Sequence, residues 1–154
     1  KFAVDAAAKR NKRITWLVAS GTRLPLFDAS QQTVFVLFTR LFVDDIARVL
    51  QPGGELIVVG TGETHLLPLR EALYDDVRQS GFDAGKFLDD RFELISSETL
   101  HCEWVPDSEE ELRNLLAMTP HHWRARPDAK AGIGALAGQS MNGHFVIQRW
   151  RRVA

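Results

Sequence analysis

Hydrophobic positions along this chain fall into short blocks of alternating type. The stretch from Ala3 to Lys12 is alanine-rich and closes on Lys9, Arg10, Lys12 and Arg13. Alanine is the strongest helix former and cations suit a helix C-terminus, so the pattern predicts the tail of a helix. Ile14–Ala19 follows as a short apolar run rich in β-formers, which predicts a buried strand. Ser20–Ser30 reads as a loop broken by Gly21, Pro25 and Asp28. Val34–Phe38 is apolar without alternation, as in a parallel strand covered on both faces. Phe42, Ile46, Val49 and Leu50 lie on one helical stripe, with Asp44 and Asp45 at the favourable N-terminal end. Pro52-Gly53-Gly54 is expected to stop that helix. Leu56–Gly60 predicts the next buried strand and Leu66–Val77 a helix with Pro68 in its first turn.

The second half changes character. Phe92–Val105 alternates loosely, as one long strand or two short ones. Ser108-Glu109-Glu110-Glu111 carries a capping box and opens a helix that Pro120 ends. Asp128–Gly138 predicts a further short helix weakened by Gly132 and Gly134, and Gly143–Val153 a final strand. No internal repeat, linker or low-complexity tract interrupts the series. The order predicts an α/β fold with a mainly parallel sheet and an antiparallel closing strand pair. In such sheets ligands sit beyond the carboxyl ends of the strands. That directs attention to Ser20–Leu26, Thr39–Leu41 and Thr61–His65.

Composition narrows the class. The 154 residues suit one domain, and the apolar (45%) and charged (25%) shares are those of an ordinary globular chain, which argues against disorder. The apolar runs are far shorter than a membrane span, and no signal-peptide pattern opens the chain. The single cysteine, Cys102, excludes an internal disulfide framework and a multi-cysteine zinc site within the chain. It is expected to be a buried strand thiol, and a cytoplasmic location is the default. The net charge of −1 gives no global pull toward nucleic acid, so such contacts would rest on local patches. The basic termini offer such patches, although solvated helix and strand ends are the safer explanation of them. The chain starts at Lys1 in what reads as mid-helix, so it is expected to be a piece of a longer protein.

The run VFVLF … IARVLQPGGELIVV looks like the middle of a class I S-adenosylmethionine (SAM)-dependent methyltransferase. Three further stretches narrow the likeness: Ala19-Ser20-x-x-x-Leu24-Pro25, Thr61-Gly62-x-x-His65-Leu66, and Met118-Thr119-Pro120-x-x-Trp123-Arg124-Ala125. In this order and spacing the chain, from Lys1 to about Trp150, resembles the RlmA-type guanine-N1 methyltransferases of large-subunit (23S) ribosomal RNA. The resemblance implies a partial Rossmann-like class I methyltransferase domain over residues 1–154. The family's four-ligand zinc module, first strands and glycine-rich cofactor loop would lie upstream. Gly132-x-Gly134 is no substitute, because it neither follows an apolar strand nor opens a strong helix. A sheet lacking its first two strands is expected to pack incompletely around Ile14–Ala19 and to expose edges, through which a homodimer could pair.

The same resemblance implies site residues. His65 would contact SAM, and Ala19, Ser20 and Gly21 would border its adenine. Thr39 and Arg40 would lie at the target base, with Arg40 standing where the family has proline. Thr119, Pro120, Trp123, Arg124 and Arg126 would face ribosomal RNA. Read on chemistry alone, His65 is a capping histidine, Ala19–Gly21 a strand exit, and Met118–Arg124 a helix stop with a core tryptophan. His121-His122 lacks partners at ligand spacing, so no metal site is expected. Ser20, Asp28 and His65 lie in no nucleophile elbow. No carboxylate stands out as a general base. The expected activity is SAM-dependent methylation of guanine N1 in ribosomal RNA by the parent protein. A small-molecule methyltransferase or a non-catalytic packing or binding fragment are the alternatives.

Overall fold

The computed structural model describes residues 2–78 and 81–153. Helix α1 (Phe2–Arg10) precedes strand β1 (Gln31–Leu37), helix α2 (Val43–Val49), strand β2 (Leu50–Thr61) and helix α3 (Leu67–Leu73). Strand β3 (Phe92–Trp104), helices α4 (Glu109–Ala117), α5 (His121–Arg124) and α6 (Pro127–Ala131), and strand β4 (Met141–Arg152) follow. The strands form one sheet in the order β1-β2-β4-β3. β1 runs parallel to β2, while β4 runs antiparallel to both β2 and β3. Three strands therefore point one way and β4 alone is reversed, in agreement with the expected α/β class and antiparallel closing pair.

Local chemistry explains most element ends. Ser108 caps α4 by accepting the Glu111 amide at 3.2 Å, and the Glu111 carboxylate reaches back to the Asp107 amide at 2.9 Å. Pro52-Gly53-Gly54 does not lie between helix and strand as expected. It forms an excursion within β2, where the pairing jumps from Gln31↔Leu50 to Thr33↔Glu55 and Gly53 takes a φ of +78°. α3 ends at Leu73 rather than Val77, because Asp75 and Asp76 put negative charge at the unfavourable end of the dipole.

Two expectations fail. Ile14–Ala19 forms no strand, and every residue in it is exposed. No neighbouring strand is present among the described residues to complete its ladder, which is the incomplete packing the sequence implied there. Cys102 is exposed rather than buried, because β3 is the outer strand and few of its side chains are covered.

There are two cores. One face of the sheet buries Val36, Leu56, Val58 and Trp150 against Ile46 and Ala47 of α2. A second cluster joins Leu69 and Leu73 of α3 to Leu112 and Leu116 of α4, with Ile133 and Met141. The opposite sheet face is open at β1, where Phe35 and Leu37 are 63% and 53% exposed. The unpaired edge of β1 and that bare apolar face lie together.

Candidate functional site

The parallel strands β1 and β2 end on the same side of the sheet, and a cleft of about 700 Å³ opens beyond them. Phe38, Thr39 and Arg40 follow β1, Gly60 and Thr61 end β2 with Gly62 and His65 just beyond them, and Met118 to His121 with Arg124 form the far wall. Arg70 and Arg78 also line it. Among the described residues the lining thus carries four arginines and two histidines and contains no carboxylate.

The near wall is locked by β4. The Gly62 amide donates to the His144 carbonyl at 2.7 Å. A side chain at Gly62 would meet the His144 ring at 2.2 Å, so only glycine allows this approach. Asn142 then fastens the loop from both ends of its amide group. Its Nδ2 donates to the Thr64 carbonyl at 2.5 Å and its Oδ1 accepts the Leu67 amide at 3.2 Å. Its own carbonyl accepts the Leu66 amide at 2.8 Å, holding Leu66 at a left-handed φ of +50°.

This geometry sets the tautomer of His65. Its Nδ1 accepts the His144 amide at 3.3 Å, which leaves the proton of the neutral ring on Nε2 as a donor. Burial, then the positive charge of Arg70, holds its pKa below the ordinary histidine value. Arg70 is itself committed to backbone carbonyls, those of Glu63 at 2.8 Å, His65 at 3.2 Å, and Arg78. Across the cleft His121 Nδ1 shares a 3.0 Å hydrogen bond with the Tyr74 hydroxyl. Burial, then Arg70 and Arg124, lowers the His121 pKa as well. In both cases the surroundings favour the neutral imidazole.

The arginines differ in freedom. Among the described residues neither Arg40 nor Arg124 has a carboxylate within ion-pair distance. Arg40 lies over the Phe42 ring at 5.6 Å. Unneutralised guanidinium groups around a concave wall are suited to a polyanion such as a phosphodiester backbone.

Of the residues expected from the sequence, His65, Thr39, Arg40, Thr119, Pro120 and Arg124 meet in this cleft. The Thr119 hydroxyl donates to the Leu116 carbonyl at 2.9 Å and so also closes α4. Trp123 does not line the cleft. It is 84% exposed beside His122, and so is not the core residue of the bland alternative. Arg126 pairs with Asp75 outside the cleft. Ala19, Ser20 and Gly21 do not line it either. Their loop continues into a separate groove of about 430 Å³ formed by Arg23 to Phe27 with Arg48. Gly21 still reaches the site indirectly, because it packs so closely on the Phe42 ring that a Cβ would stand 2.3 Å away. No group of three or more metal-ligating side chains occurs among the described residues. No helix among them is long and apolar enough to cross a membrane.

The strand order, the reversed β4 and the cleft beyond β1 and β2 define the α/β fold of class I methyltransferases. Solved structures agree. A protein assigned as a methyltransferase from Bacillus halodurans C-125 matches over 98% of this chain and 79% of its own, with a TM-score of 0.57 and 14% identity. A protein associated with conversion of a disulfide bond into a thioacetal group during echinomycin biosynthesis matches over 98% of this chain and 63% of its own (TM-score 0.58, 14% identity). Among curated proteins, the 23S rRNA (guanine(748)-N(1))-methyltransferase of Streptomyces fradiae is 31% identical over 135 residues, 85% of this chain. The chain spans 48% of that relative's length. A phosphoglucosamine mutase of Synechococcus sp. (strain RCC307) is 29% identical over 140 residues, 30% of its length. No protein-family profile matches the sequence.

Proposed function

We propose that the protein to which this chain belongs transfers a methyl group from SAM to N1 of a guanine in large-subunit ribosomal RNA. This chain would supply the substrate side of the site. The observation that carries the reading is the cleft beyond β1 and β2, lined by four arginines and no carboxylate. Such a lining suits the phosphates flanking a target base better than a cationic small molecule. The 31% identity to the Streptomyces fradiae enzyme supports the same direction.

SAM supplies an activated methyl group on a sulfonium leaving group. The residues present fit one end of it. His65 offers an Nε2–H donor, and the arginines suit the methionine carboxylate. A ribose diol calls for a carboxylate acceptor, which the cleft lining does not contain. The remaining ligands are proposed to come from an upstream half that covers the bare β1 edge and the face bearing Phe35 and Leu37. Ala19, Ser20 and Gly21 would border the adenine once that half is in place. Thr39, Arg40, Thr119, Pro120, Trp123 and Arg124 would position the RNA.

The test is methyl transfer from radiolabelled SAM to a 23S ribosomal RNA hairpin by the longer protein, with guanine N1 methylation read by mass spectrometry. Replacing Arg124 by alanine should weaken RNA binding evenly across sequences and lower the salt dependence by roughly one phosphate contact. Transfer to small amines with none to RNA would sink the reading.

A further inference from the structure

Methylation at guanine N1 needs a proton acceptor, because N1 of the neutral base carries a hydrogen where the methyl group must go. Among the described residues the cleft wall offers no carboxylate for this task, which leaves His65 and His121. Their hydrogen bonds separate them. His65 Nδ1 faces the His144 main-chain amide, which can only donate, so the neutral ring keeps its proton on Nε2. His121 Nδ1 lies 3.0 Å from the Tyr74 hydroxyl, which can accept as well as donate. With the proton on Nδ1, the lone pair of Nε2 is bare, and no hydrogen bond engages that atom among the described residues. The support is firm. Tyr74 packs against the second core and meets the imidazole edge-on, with ring centroids 5.5 Å apart. Arg70 of α3 and Arg124 of α5 are the cations that act on His121, and His65 across the cleft senses its charge in turn. Burial and these cations disfavour the imidazolium, which keeps the ring in the form that takes up a proton.

We propose that His121 is the general base that removes the N1 proton of the target guanine, with Tyr74 as the positioning residue that holds the proton of the neutral ring on Nδ1. The assignment rests on the guanine-N1 reading above and deepens it. The N1–H bond breaks and its proton goes to His121 Nε2. The electron pair left on N1 forms the bond to the methyl carbon, and the pair of the broken sulfur–methyl bond stays on the departing thioether. Arg124, on the same wall and without a carboxylate within ion-pair distance among the described residues, supplies positive charge for the anion that forms along the O6–N1 edge. The proton then leaves the imidazolium for solvent.

The experiment uses the longer protein with isotope-labelled histidine, a 23S ribosomal RNA hairpin and SAM. Ring-nitrogen shifts of the ligand-free protein should place the His121 proton on Nδ1 at neutral pH, with titration below the ordinary value of about 6.5. Single-turnover methyl transfer should rise with pH through that same titration and then level. His121→Gln should lower the rate by about 10²- to 10⁴-fold and abolish the acid limb, with RNA affinity kept within about twofold. His121→Gly should regain activity on addition of imidazole. His65→Gln should lower the rate yet keep the acid limb. Tyr74→Phe should move the His121 proton toward Nε2, with a smaller loss of rate. A wild-type His121 ring protonated on Nε2 would overturn the proposal whether or not the variants fold. So would a His121→Gln variant that keeps the wild-type rate and acid limb. A loss of rate matched by an equal loss of RNA affinity, without imidazole rescue, would make His121 a binding residue instead. Each of these removes this proposal alone, whereas no transfer to RNA by the wild-type protein would remove the RNA reading and this proposal together.

Discussion

Leu69→Ala tests how the far wall of the cleft is held. Leu69 is fully buried in the cluster that joins α3, α4 and Met141 of β4. Truncation removes three carbon atoms, which forfeits about 2 kcal/mol of transfer free energy at ~0.8 kcal/mol per methylene. The cavity left behind adds to this, and buried leucine truncations cost about 3–5 kcal/mol in total. The other core lies at the far end of β4, around Trp150. Met141 and Trp150 are nine residues apart on that strand, or roughly 30 Å at ~3.4 Å per residue. The loss should therefore fall first on the cluster beside the cleft. Urea unfolding is followed in single-tryptophan variants, with Trp104 reporting the α3–α4 cluster and Trp150 the other core. The midpoint at Trp104 should drop well before that at Trp150, and arginine-wall contacts to RNA should weaken with it. A cost below about 1 kcal/mol, or identical shifts at both tryptophans, would refute the division into two cores.

Three smaller perturbations follow from the loop geometry. Asn142→Ala removes both side-chain bonds to the Thr64–Leu67 loop and should cost about 1–3 kcal/mol, seen as faster amide exchange at Leu67. Gly62→Ala forces a methyl group into the His144 ring and should cost about 1–3 kcal/mol, and an unchanged melting temperature would contradict the close approach. His65 and His121 both have lowered pKa values, so the unfolded chain binds more protons than the folded one once pH drops below about 6.5. Stability should be flat from pH 7 to 8 and fall as the solution is acidified through that point. A His65→Gln, His121→Gln double variant should flatten the acid limb.

The elements that local chemistry determines were legible from the sequence. α4 could be read from its capping box, β1 and β2 from their apolar runs, and the antiparallel closing pair from the change of pattern after residue 90. Ile14–Ala19 was misread for the same reason, because its composition is that of a strand while strand formation needs a partner that no local signal supplies. Cys102 was misplaced because residue type predicts burial only when the strand's neighbours are known. The residues that build the cleft walls were out of reach for a different reason. Asn142, His144 and Phe145 act on a loop some 80 positions away, and Tyr74 meets His121 across 47.

That distance gives the convergence its weight. Thr39–Arg40, Thr61–His65 and Met118–Arg124 are the stretches that sequence likeness singles out, and strand order alone points the first two, but not the third, to one end of the sheet. Sheet order and the α3–α4 cluster bring all three to one cleft, at the crevice where α/β sheets bind ligands. The fourth stretch, Ala19–Gly21, stays apart. It is also the one stretch whose supporting strand has no ladder to join. The convergence and the exception thus have one physical cause: a site residue is delivered to the cleft only when the element carrying it is packed.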